Sequence, residues 1–150
     1  MIMKGSKGLT LIELLVVLAI ISLLSSIILV GLMSAQEKAR DSAIMELLSQ
    51  IRLEGQMILV ESGAYNNPSN ALCSAGNVLN TGNINHPLLE EIADKVKSYN
   101  GGTDAVCFAT DKAYCVSSLL NLAQGFCVDS DGQATTLKYT CDGNPIPACE

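Results

Sequence analysis

Gly8-Leu9-Thr10-Leu11-Ile12-Glu13-Leu14-Leu15-Val16-Val17-Leu18-Ala19-Ile20-Ile21 opens an apolar run that continues to Met33. Only Thr10, Glu13, a few serines and Gly31 interrupt it. As a helix the stretch from Leu9 to Met33 spans roughly 37 Å, enough to cross a bilayer. One carboxylate, Glu13, sits inside it, where a plain membrane anchor would carry none.

Lys4 and Lys7 precede the run, and the flank after it, Gln36-Glu37-Lys38-Ala39-Arg40-Asp41, is balanced in charge. That bias keeps the N-terminus in the cytoplasm and sends the rest of the chain outward. Residues Met1 to Gly8 are too short and polar for the apolar core of an ordinary secretory signal. Beyond Met33 the helical pattern changes character without stopping. No proline occurs from Ser34 to Glu61, and Ile44, Leu47, Leu48, Ile51 and Ile58 recur in steps of three and four, with Gly55 on the same face. Glu37, Arg40, Asp41, Glu46 and Gln50 fall largely elsewhere, so this half is amphipathic and packs on its own head. The expectation is a single helix from Leu9 to Glu61, roughly 80 Å long.

Ser62-Gly63 ends the helix, and the Asn-, Ser- and Gly-rich stretch from Tyr65 to Pro87 is an irregular connection pinned by Cys73. Pro87, the acids Glu90 and Glu91, the lysines Lys95 and Lys97, and Asn100-Gly101-Gly102 punctuate a second, short helix. Four β-like runs follow: Ala105–Thr110, Lys112–Ser117, Gly125–Asp129 and Thr135–Thr140. Asp131-Gly132 suits a hairpin turn between the last two. The fold class is α+β: a long helix whose apolar half protrudes and whose other half carries a small antiparallel sheet.

The head is near the lower size limit for an independent core, and the chain has no Trp and only six Phe and Tyr. Cys73, Cys107, Cys115, Cys127, Cys141 and Cys149 can compensate. Six cysteines confined to a small head behind a membrane-directing segment form a disulfide framework in an oxidising compartment; 15 pairings remain open. No Cys-x-x-Cys pair occurs, which disfavours zinc. Net charge is −6, and the head shows no basic patch, so its bulk field does not favour nucleic acid. Asp129-Ser130-Asp131-Gly132 resembles a fragment of a calcium loop, with Asp129 and Asp131 as ligands. It lacks the acid at the twelfth loop position, and a turn is the better reading. His86, next to a proline, reads as a surface or capping residue. No catalytic set or phosphate loop stands out, so neither enzymatic activity nor a cofactor is expected.

Glu13 admits two readings. Thr10-Leu11-Ile12-Glu13 fits a capping box at the helix start. Alternatively, cutting after Gly8 would leave a free amine on Leu9, within reach of a neighbouring subunit's Glu13, so that association supplies the carboxylate's partner.

The segment Lys7-Gly8-Leu9-Thr10-Leu11-Ile12-Glu13-Leu14-Leu15-Val16-Val17 resembles the class III signal of type IV prepilins and of the related type II secretion pseudopilins. The resemblance covers about 25 residues closely and the head in general plan. It implies cleavage after Gly8 by prepilin peptidase, methylation of Leu9, and assembly through Glu13 into a helical filament with other pilins. It also implies a membrane-anchored state before assembly and a pilus or type II secretion machinery as partner. Cys127 to Cys149 would bound a C-terminal disulfide region. Two positions depart from the pattern: Leu9 replaces the usual Phe, and Val30 stands where many pilins have proline, leaving a straight helix or a local bend at Gly31 open. The resulting division is a leader 1–8, an apolar half 9–33, an amphipathic half 34–61 and a head 62–150. The expected function is a pilus-like structural subunit, with a pseudopilin or minor pilin as the near alternative. A membrane-anchored binding module that never polymerises is the alternative of another class.

Overall fold

The computed structural model describes residues 10–121, 124–137, 141 and 149. It comprises two compact units, Met1–Gln36 and Glu37–Glu150. Helix α1, Leu11–Ser62, contributes to both. Helix α2, Leu88–Tyr99, and four strands follow: β1 Val106–Ala109, β2 Tyr114–Leu119, β3 Gly125–Asp129 and β4 Ala134–Leu137.

In the first unit the described leucine, isoleucine, valine and methionine side chains of α1, from Leu11 to Met33, are exposed, by 49 % at the least. A water-soluble domain does not leave such a surface open. Among the described helices α1 alone has the length and composition to cross a membrane.

In the second unit the pattern inverts. Ile44, Leu48, Ile51 and Ile58 are fully buried and Leu47 nearly so, which is the stripe that periodicity places there. Asp41, expected to fall off the covered face, is buried as well, and so is Glu54. α1 stops where Gly63 takes φ +75° and its N–H bonds the Leu59 carbonyl at 2.9 Å, a left-handed cap that glycine reaches without a Cβ penalty.

The short helix α2 buries Leu89, Ile92 and Val96 and carries Glu90 and Glu91 in its first turn and Lys97 in its last. Pro87 stands at its N-cap and Asn100 at its C-cap, where the Asn100 N–H bonds the Val96 carbonyl at 3.0 Å.

The sheet is an antiparallel meander in the order β1-β2-β3-β4. Its register pairs Cys107 with Val116 and Val116 with Val128. Alternation along the strands sends Tyr114, Val116, Phe126, Val128 and Cys107 into the core that α1 and α2 share. Phe108, Cys115 and Cys127 point to the opposite face, where they meet Cys141 and Cys149 in a second cluster. Both faces of this small sheet are thus covered. β2 runs two residues further than the expected Ser117, and β4 begins one residue early at Ala134; the expected continuation of β4 to 140 lies outside the described residues.

One close approach in the core joins α1 and β2. A Cβ at Gly55 would lie 3.0 Å from Tyr114 Cε1. The Tyr114 ring is fully buried and edge-on to Tyr65, with centroids 4.8 Å apart. Glycine lets the helix seat directly on that ring.

Candidate functional site

The predicted cleavage pair, Gly8 and Leu9, lies outside the described residues. Glu13 is described, and it is engaged within its own chain. Its Oε2 accepts from the Thr10 N–H at 2.8 Å and from the Thr10 hydroxyl at 2.8 Å, while its own N–H donates to Thr10 Oγ1 at 3.3 Å. This is a reciprocal capping box that satisfies orphan donors at the first turn. The carboxylate is therefore hydrogen-bonded within the single chain. Exposed apolar side chains surround it: Leu11 is 81 % exposed and Ile12 70 %.

The six cysteines form three pairs: Cys73 with Cys107, Cys115 with Cys141, and Cys127 with Cys149. Their Cα separations are 5.5, 6.0 and 5.7 Å, within the span that a disulfide bridges. The first ties the long connection to β1. The other two lie over the outer face of the sheet, where the Cys127 and Cys141 sulfurs approach to 3.3 Å. Two polar side chains on that face hold the same C-terminal positions by backbone. Ser117 Oγ accepts from the Cys141 N–H at 2.9 Å, and Asp129 Oδ2 accepts from the Cys149 N–H at 3.2 Å.

Asp129, one of the two calcium candidates, has its other oxygen filled too. Oδ1 accepts from the N–H groups of Asp131 at 3.0 Å and Gln133 at 2.9 Å. A carboxylate occupied by three backbone donors shapes the β3–β4 turn, where Gly132 takes φ +89°. Asp131 is exposed at the tip. Arg52 Nη2 reaches the same turn from α1 and donates to the Gly132 carbonyl at 2.8 Å and the Gln133 carbonyl at 3.1 Å.

Sequence reasoning missed two polar anchors. Asp41 Oδ1 accepts from both the backbone N–H and the side-chain amide of Asn121, each at 2.7 Å, so this buried acid fastens the segment after β2. His86, expected to be a surface or capping residue, is 4 % exposed and stands between Glu54 and Glu61 of α1. The reason is the companion amides Asn70 and Asn83, which give an otherwise costly buried ring a polar setting. In sequence the only cue is Glu54 itself, which interrupts an apolar face.

A family model described as "Prokaryotic N-terminal methylation motif" matches residues 3–29. The chain is 28 % identical over 113 residues to the type IV wide pilus major component PilA4 of Thermus thermophilus, an alignment covering 73 % of this chain and 86 % of that protein. No solved structure matches significantly.

Proposed function

We propose that this chain, with its N-terminal methylation motif and its similarity to a type IV pilus component, is a type IV pilin-like structural subunit of a pilus-like filament. The observation that carries the reading is the helix of the first unit, apolar on every side and uncovered, headed by the methylation motif and one glutamate. Lipid covers that surface first, with the N-terminus on the cytoplasmic side as Lys4 and Lys7 direct. Equivalent helices of neighbouring subunits cover it afterwards. The cysteine-paired head then stands outside the cytoplasm, where disulfides persist.

In this reading prepilin peptidase cuts after Gly8 and Leu9 is methylated at its new amine. Glu13 has a holding state and a working state. In the single chain Thr10 caps it; on assembly the cationic amine of a neighbour's Leu9 competes for the same carboxylate. A carboxylate deep in a bilayer costs roughly 2.5–3.5 kcal/mol, and less near a helix end. A cap returns about 1 kcal/mol, so the charge pair has room to be the better partner. The role is structural and assigns no catalysis.

Mass spectrometry of the mature protein is expected to find Leu9 at the N-terminus with one added methyl group. A mature chain that retains Met1 would refute the processing step. Glu13→Ala is expected to leave insertion and cleavage intact and to abolish filaments. Normal filaments from that variant would reduce Glu13 to a helix cap.

A further inference from the structure

Four of the six cysteine sulfurs meet on the outer face of the sheet. Cys115, Cys127 and Cys141 form one buried cluster, with Phe108 and Cys149 packed against it. The register explains the meeting: Cys127 of β3 pairs with Ser117 of β2, and Cys115 lies two residues back on the same face. Cys115 and Cys127 are 0 % exposed and Cys141 5 %, whereas Cys149 is only half-buried. The Cys127 and Cys141 sulfurs, in contact at 3.3 Å, belong to different disulfides, Cys127–Cys149 and Cys115–Cys141.

A disulfide exchanges when a thiolate attacks one of its sulfurs and expels the other. The attack needs access, and among these four sulfurs access is greatest at Cys149. Attack there expels Cys127, whose sulfur already touches the neighbouring disulfide. The backbones at both C-terminal positions are held independently of sulfur. Ser117 Oγ accepts from the Cys141 N–H, and Asp129 Oδ2 accepts from the Cys149 N–H. Residues 141 and 149 therefore keep their places while the bonds between sulfurs change.

We propose that Cys149 is a modification site for a small external thiol, backed by a sulfur relay that ends at Cys115. In the first step the external thiolate bonds Cys149 Sγ, the Cys127–Cys149 bond breaks, and Cys127 leaves as the thiolate. In the second, Cys127 Sγ bonds Cys141 Sγ, the Cys115–Cys141 bond breaks, and Cys115 leaves as the thiolate. Cys115 takes up the proton that the external thiol gave up. Two disulfides stand before the exchange and two after it, one of them now mixed, so no oxidant or reductant is consumed. The relay stops at Cys115 because that sulfur is fully covered, out of reach of a second external thiol. Cys73–Cys107 takes no part, since Cys107 faces the core on the other side of the sheet. The new bond fastens residue 141 to β3 and leaves residue 149 carrying the thiol. The site needs only the folded head and does not depend on filament assembly.

The test treats the oxidised full chain in detergent micelles with glutathione at mildly alkaline pH, then traps free thiols with N-ethylmaleimide in acid. Fragment-ion mapping without reduction is expected to find glutathione on Cys149, a Cys127–Cys141 cross-link and maleimide on Cys115. Glutathione on Cys115 or Cys141, or its absence from Cys149, would overturn the modification site. Maleimide confined to Cys127 would overturn the relay. Cys149→Ser needs no external thiol, because it leaves Cys127 free to attack Cys141. In that variant Cys115 is expected to carry at least about one tenth of the maleimide. A smaller share there would also overturn the relay.

Discussion

Replacing Gly55 with alanine sets two effects of known size against each other. Alanine is the better helix former by about 0.8–1 kcal/mol in a helix interior. Its Cβ, however, would meet Tyr114 at 3.0 Å from Cε1, 3.3 Å from Cζ and 3.4 Å from the hydroxyl. The Tyr114 ring has no solvent-exposed surface and is braced by Tyr65, so it cannot withdraw by a rotamer change alone. Overpacking of this kind costs typically about 1–3 kcal/mol. The clash should win, and Gly55→Ala is expected to destabilise the head by about 1 kcal/mol, a fall in Tm of about 3–5 °C. Thermal unfolding of the full chain in detergent, with disulfides intact and followed by the near-ultraviolet tyrosine signal, measures it. The same substitution made in a Tyr114→Leu background removes the opposing ring, and there alanine should stabilise. A Gly55→Ala protein as stable as the parent, or an equal effect in both backgrounds, would refute the close-contact argument.

Tyr114→Phe removes a buried hydroxyl that has no hydrogen-bond partner among the described residues, so equilibrium unfolding should show unchanged stability or a gain of up to about 1 kcal/mol. Burial, assisted by the neighbouring Tyr65, pushes the Tyr114 phenol above its usual value. The folded form then binds that proton more tightly than the unfolded chain. Stability should be intact below about pH 10, decline as the pH rises beyond it, and decline less steeply in Tyr114→Phe. Removing the Cys127–Cys149 pair by double serine substitution opens a loop with a sequence separation of 22. Denaturant unfolding should register a loss of about 3 kcal/mol, and a loss below about 0.5 kcal/mol would show that the C-terminal segment is held by other means.

Periodicity makes the helices and strands legible because each depends on neighbours a few positions away. The 3.6-residue stripe from Ile44 to Ile58, the proline and charge punctuation of α2, and the Asp-Gly turn before β4 are local signals. What the sequence hides is non-local. Asp41 and Asn121 are 80 positions apart, and Glu54 and His86 are 32 apart. Each of these side chains alone looks like a surface residue. Only their meeting makes burial tolerable, and each is satisfied by a group that no spacing rule links to it. Gly55 is visible on the buried face, but not the tyrosine that requires it. Glu13 is legible in both of its readings from one four-residue pattern, since a capping box and an assembly glutamate use the same spacing.

The disulfides also partition how the head would carry a load. All three close between Cys73 and Cys149, and α1 contains no cysteine. Among the described residues, a pull along α1 reaches the cross-linked part by two routes. One is the backbone from Ser62 to Cys73. The other is the noncovalent seam, where Ile44, Leu48 and Ile51 line the buried row and where Arg52, Asp41 and the Glu54–His86 contact add polar ties. Under tension that seam yields before any covalent link is stressed. The cross-linked body can then hang intact from a short tether and reseat when the force relaxes. The cysteines thus guard the shape of the head, while its seating along the helix, beyond the backbone tether from Ser62 to Cys73, rests on noncovalent contacts.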